Sequence, residues 1–162
     1  GDKLQAIVNG LAGGWSAPHR AQVIRTGRIT IVDATFNASP ASVVAALELL
    51  AGLPGRRVAV LGEMLELGDG SAAGHREVGR VAAASSALLC VVGAGAAGIA
   101  TGAREAGLPE ARIVEVADRE EAAARLETLL RPGDLVLVKA SRGVGLEVLV
   151  DALAASFGEA GP

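Results

Sequence analysis

Aromatic side chains are scarce in this 162-residue chain, which has two Phe, one Trp and no Tyr. A surface that stacks unpaired bases needs such rings, so their scarcity argues against a single-strand nucleic-acid binder. A formal net charge of -3 argues likewise against a duplex binder. The single cysteine, Cys90, sits in the apolar run Leu88–Val92 and reads as a core residue in a reducing compartment. One cysteine and two separated histidines support neither a metal cluster nor a nucleophilic triad. No apolar run approaches the roughly 18 residues of a membrane span, and no signal peptide is visible. The P-loop pattern Gly-x-x-x-x-Gly-Lys-Ser/Thr occurs nowhere. What is left is the expectation of a soluble, cytoplasmic α/β domain with no nucleic-acid partner and no membrane span.

Hydrophobic residues make up 51% of the chain, mostly Ala, Val and Leu, which is enough for one domain with a sizeable core. Leu4, Ile7, Val8 and Leu11 recur at helical spacing, so the chain opens on an amphipathic helix that Gly13-Gly14 stop. Gln22–Arg25, the turn Thr26-Gly27 and Arg28–Val32 read as a β-hairpin with a short edge arm. Strand and helix patterns then alternate. Strands are expected at 29–32, 58–61, 88–92, 112–116 and 135–138, each followed by a helix with one apolar face. Ser39-Pro40 is an N-cap followed by a first-turn proline, and Asp118 is a second N-cap. Near-continuous apolar strands are buried on both faces. The fold class is therefore α/β: a Rossmann-like, doubly wound, mostly parallel sheet of about six strands with one antiparallel edge strand.

Polar clusters fall just after strands, where open α/β sheets bind ligands. Three of these loops are richer than a plain connection needs: 33–40, 62–68 and 139–145. If they meet, the strands that carry them must be neighbours in the sheet. Asp33 can accept ribose hydroxyls, or it can hydrogen-bond its own loop. Asn37 can pair with an adenine edge, or it can shape a turn. Lys139, Ser141 and Arg142, with backbone N–H groups at a helix start, form a phosphate or carboxylate site by their chemistry. Their other reading is a solvated turn. Gly93–Gly98 matches Gly-x-Gly-x-x-Gly, but it lies on the third unit of an Ala/Gly-rich chain and reads as close helix–strand packing. His75 follows the Glu63 loop. It can face the same crevice, although a solvated helix histidine is the plainer reading.

Asp33-Ala-Thr-Phe-Asn37-Ala-Ser-Pro40 resembles the Asp-x-x-Tyr-Asn-Ala-Asn-Pro motif of the Mur ligases. Gly62-Glu-Met-Leu-Glu-Leu-Gly68 followed by His75-Arg-Glu-Val-Gly79, and Val138-Lys-Ala-Ser-Arg-Gly143, resemble two further motifs of that family in the same order. The closest form is the one that joins D-Ala-D-Ala to a UDP-MurNAc-tripeptide in peptidoglycan precursor synthesis. Phe36 stands where the family has Tyr, Ser39 where it has Asn, and Ala140 where it has Gly.

The resemblance is to the C-terminal domain of a three-domain enzyme. It implies that residues 1–14 are the last helix of a central ATPase domain. Residues 15–28 would be hinge and edge strand, 29–157 the Rossmann-like domain, and 158–162 a disordered tail. It implies that Arg20, Asp33, Phe36 and Asn37 meet ATP. Lys139, Ser141, Arg142, Glu63 and His75 would face the cleft for the dipeptide or the phosphates. The implied reaction passes through an acyl phosphate and uses ATP and Mg²⁺, neither bound tightly by this chain. The implied partners are the N-terminal and central domains, the UDP-MurNAc-peptide and D-Ala-D-Ala. Alternatives are another Mur or folylpolyglutamate-type ligase, or a free-standing nucleotide-binding module, NAD-binding through Gly93–Gly98.

Overall fold

The hairpin Gln22–Arg25 (β1) and Thr30–Ala34 (β2) is antiparallel, pairing Gln22 with Asp33 and Arg25 with Thr30. It forms one end of a six-stranded sheet with Arg57–Gly62 (β3), Leu88–Val92 (β4), Ile113–Val116 (β5) and Leu135–Lys139 (β6). The spatial order is β1-β2-β6-β3-β4-β5, and every pair after the hairpin is parallel. The computed structural model describes residues 2–11 and 21–158. The expected glycine stop, the hinge and all but the first residue of the expected tail lie outside them.

The strands inside the sheet are apolar on both sides, where helices cover both faces, whereas the edge strands β1 and β5 carry exposed Arg25 and Glu115. Val32, Ala59, Leu61, Leu89, Val91 and Leu137 point to one core. Ile31, Val58, Val60, Cys90, Val136 and Val138 point to the other. The first face carries Pro40–Ala51 (α2), Ser71–Ser85 (α3) and Ala97–Glu105 (α4); the second carries Arg119–Leu129 (α5) and Glu147–Ser156 (α6). The first helix, Asp2–Leu11 (α1), lies on β1 and α2, with Val8 only 1% exposed and Leu4 and Ile7 against the same core.

The caps form as the sequence dictates. The Ser39 hydroxyl accepts the Ser42 N–H at 3.2 Å, and Ser42 Oγ returns the contact to Ser39 N at 2.9 Å. Asp118 caps α5 through the Glu121 N–H at 2.8 Å. Strands β2, β3 and β6 each run one or two residues further than the apolar pattern shows. Asp33 and Lys139 are both in register with their neighbours, opposite Val138 and Ala34. Their backbones join the ladder even though their side chains are polar.

Helices α3 and α4 approach closely enough to require glycine. A Cβ on Gly79 would lie 1.9 Å from the Ile99 carbonyl oxygen, and one on Gly102 would lie 1.9 Å from that of Arg76. Gly98 similarly backs onto His75, whose Cβ would be 2.9 Å from an added Cβ. The reading of Gly93–Gly98 as close helix–strand packing is corrected: Gly98 backs onto helix α3, Gly95 onto the Glu63 side chain, and Gly93 takes a positive φ of 91°.

Candidate functional site

The three polar loops meet. They follow β2, β6 and β3, which are consecutive in the sheet. The link between the outer two is Ser141. Its N–H donates to the Glu63 carbonyl at 3.0 Å. Its hydroxyl accepts the Leu65 N–H at 2.8 Å and reaches the Ala38 carbonyl at 3.4 Å. A hydroxyl can accept and donate at once, so one side chain serves both loops. Gly62 makes the approach possible, because a Cβ there would meet that of Ala140 at 2.9 Å. Ala140, which stands where the Mur motif has Gly, is fully buried in the space that Gly62 leaves.

Lys139 closes the other side. Its ammonium is buried and donates to the Asn37 carbonyl at 2.9 Å. Burial lowers its pKa from 10.5 to about 8. One N–H of Lys139 and the Ser141 hydroxyl thus hold loops together. Arg142, in the following 3₁₀ turn, is exposed, and its guanidinium lies over the Phe36 ring at 5.5 Å. This is a cation–π contact worth about 0.5–1 kcal/mol at an exposed site, weak enough for a ligand to displace.

Asp33 is 1% exposed, and its Oδ1 accepts both the N–H and the hydroxyl of Thr35, at 3.0 and 2.7 Å. It thus shapes its own loop. Asn37 is exposed on the rim, with its Oδ1 toward the Ala38 N–H. Phe36 is half-buried beside it. Glu63 is half-buried, its carboxylate lying where a Cβ on Gly95 would come within 2.3 Å. Arg20 lies outside the described residues.

His75 departs from its reading. It is neither a solvated helix residue nor a side chain in the crevice, for it is 2% exposed beneath the 63–67 loop. Its Nε2 accepts the Met64 N–H at 3.0 Å, and its Nδ1 lies 2.7 Å from the Ser71 carbonyl. The signal was present in the sequence. Gly74, His75, Val78, Gly79 and Ala82 recur at helical spacing and form the buried face of α3.

Arg119 supports the 139–145 loop from behind, donating to the Gly145 carbonyl at 3.0 Å. Sequence reasoning did not single it out. It borders a cleft of about 320 Å³ lined by Gly93, Asp118, Glu120, Val144 and Leu146 among others. Cys90 takes no part: burial pushes its thiol up to about 12, so it stays protonated and inert. Among the described residues no group of His, Cys, Asp or Glu could hold a metal ion, and no helix is long and apolar enough to cross a membrane.

A family model described as "Mur ligase, glutamate ligase domain" matches residues 19–142. The chain belongs to the Mur ligase family. Its match covers the hairpin, the first two converging loops and the third as far as Arg142, which makes it a Mur ligase C-terminal domain of Rossmann-like fold. It is 40% identical over 153 residues to the UDP-N-acetylmuramoyl-tripeptide–D-alanyl-D-alanine ligase of Mycobacterium leprae, covering 83% of this chain and 30% of that protein. The enzyme of that name from Escherichia coli is 36% identical over 157 residues, covering 94% of this chain and 33% of the other. The domain is also similar to the MurF ligase of Thermotoga maritima in complex with ADP, with TM-score 0.74 and 30% identity over 88% of this chain and 32% of that one. A MurF structure from Acinetobacter baumannii gives TM-score 0.77 at 29% identity, covering 87% and 31%. The chain spans about a third of the length of the curated relatives it matches.

Proposed function

We propose that this domain is part of an ATP-dependent ligase that joins D-Ala-D-Ala to a UDP-MurNAc-tripeptide in the cytoplasm. The observation that carries this reading is the convergence of the three motif loops on adjacent strands, in a chain 40% identical to ligases of that name. Asn37 and Phe36 on the rim, with Asp33 behind them, suit the adenosine end of ATP. The exposed Arg142 suits a phosphate or a carboxylate. Lys139, Ser141 and His75 hold the loops that present these groups, and Glu63 lines the cleft beside them.

ATP supplies the phosphoryl group that activates the tripeptide carboxylate, and the dipeptide amine then displaces phosphate. The chain lacks a P-loop, and its described residues lack a metal cluster. In this reading the groups that hold Mg²⁺ and drive phosphoryl transfer belong to the other domains, and Arg20 approaches the phosphates from the hinge. Residues 1–14 are the end of the central domain in this reading.

Two measurements test it. The isolated chain should neither turn over ATP nor form the amide, and turnover by the chain alone would refute the division of labour. In the complete enzyme, Asp33→Asn should raise the KM for ATP about tenfold and leave that for D-Ala-D-Ala unchanged. An unaltered ATP dependence would remove Asp33 from the nucleotide site.

A further inference from the structure

Two consecutive amides of the 63–67 loop are received by side chains from different elements. Met64 N–H goes to His75 Nε2 on α3 at 3.0 Å, and Leu65 N–H goes to Ser141 Oγ after β6 at 2.8 Å. The loop is thus pinned on both flanks without belonging to a sheet ladder. At its start the Glu63 carbonyl accepts the Ser141 N–H, and the Glu63 carboxylate rests on Gly95. Just beyond, Glu66 takes a positive φ of 62°. A residue other than Gly, Asn or Asp holds that conformation only where its surroundings impose it.

The chemistry of the two His75 contacts fixes the state of the ring. A backbone N–H can only donate, so Nε2 is unprotonated. A backbone carbonyl can only accept, so Nδ1 carries the proton, with Ser71 Oγ also 3.3 Å from it. The imidazole is neutral, in one tautomer, and 2% exposed. A leucine would fill much of the same space and leave the Met64 amide without an acceptor.

We infer that His75 is a positioning residue for the ligation site: as the Nδ1–H imidazole it fixes Met64, and so keeps Glu63 and Leu65 in register with Ser141. It touches no substrate. Its effect falls on the side of the cleft formed by Glu63 and the 139–145 loop, and not on the Asp33–Asn37 rim. The dipeptide is placed on that side because the exposed Arg142 there suits its carboxylate; this placement rests on the function proposed above, and the pinning of the loop does not.

The chain labelled uniformly with ¹⁵N tests the pinning directly. Near pH 7, His75 should show a protonated Nδ1, a bare Nε2 and a coupling across the hydrogen bond to the Met64 amide nitrogen. An Nε2–H tautomer or an imidazolium overturns the inference. In the complete ligase, His75→Leu should raise the KM for D-Ala-D-Ala about tenfold and leave the KM for ATP within about twofold. His75→Gln should recover most of that loss, because its amide can accept from Met64 and donate to Ser71. An equal rise in both KM values, or a Gln variant no better than Leu, overturns the positioning role. If the unaltered ligase does not use D-Ala-D-Ala, the functional reading fails and the histidine spectrum still decides the pinning.

Discussion

Lys139 and Asn37, 102 residues apart, are joined by a 2.9 Å hydrogen bond from a buried ammonium to a backbone carbonyl. The central strand of the sheet thereby holds the loop of its neighbour. Burial makes the ammonium easier to deprotonate in the folded chain, at about pH 8, than in the unfolded one, at 10.5. Between those values the unfolded chain binds the extra proton, so this residue's contribution to stability rises with pH. Below that window both states carry the proton, and the burial penalty is full and constant. The gain across it is of order 2–3 kcal/mol. Urea midpoints from about pH 7.5 to about 10 should therefore climb for the natural chain relative to Lys139→Met. Parallel profiles would show that the ammonium is not desolvated.

Ser141 and Arg142 are adjacent and should separate cleanly on mutation. Ser141→Ala strips a buried acceptor from the Leu65 amide and should lower stability by about 1–3 kcal/mol. Arg142→Ala removes an exposed guanidinium whose contact is the Phe36 ring, and should shift stability by less than about 1 kcal/mol. In the complete enzyme, Arg142→Ala should nevertheless lower kcat/KM by about a hundredfold, if the guanidinium meets a ligand anion. Thermal melts beside steady-state kinetics check both variants. A strongly destabilised Arg142→Ala would make the arginine a structural residue.

Glycine-to-alanine changes should have opposite signs at two helical positions. Gly10 in α1 has nothing within 4 Å of an added Cβ, so alanine there should stabilise by up to about 1 kcal/mol. Gly102 in α4 has a backbone oxygen 1.9 Å from that position, so alanine must push two helices apart. The strain, about 1–3 kcal/mol or more, outweighs the gain in propensity. Melting temperature should fall by several degrees for Gly102→Ala and rise for Gly10→Ala.

Most of the fold was legible because the strands are apolar runs and the helices carry recognisable starts. Ser39-Pro40 and Asp118 placed two helix beginnings before any contact was known. The condition for the three polar loops to meet, that their strands lie near one another, is fulfilled by β2, β6 and β3, although the sheet order itself was not legible. The partners of individual side chains were not legible. Lys139 and Ser141 look like ligand-binding groups in sequence, yet their hydrogen bonds go to Asn37, Leu65 and Ala38, more than 70 positions away. Only the fold brings those backbone groups within reach. His75 was missed because, beside Arg76 and Glu77, a helix histidine looks solvated. Its acceptor role appears only once the Met64 amide lies above it. The helix Asp2–Leu11 shows the same limit: its apolar face was evident, but not that β1 and α2 would receive it.

The place of β6 between β2 and β3 has a consequence for the order of events in making the domain. β2 and β3 share no backbone hydrogen bonds with each other; each bonds to the strand translated after all the rest. Until residues 135–139 leave the ribosome, no ladder joins the hairpin to the β3–β4–β5 ribbon, and both have raw edges open to wrong pairing. Insertion of the last strand joins them and, in the same step, brings Lys139 to Asn37 and Ser141 to Leu65. A chain interrupted before that point is not a weakened form of the domain. Its two sheet pieces meet through helices α2 and α3 without a shared ladder, and it lacks the Lys139 and Ser141 contacts that gather the loops.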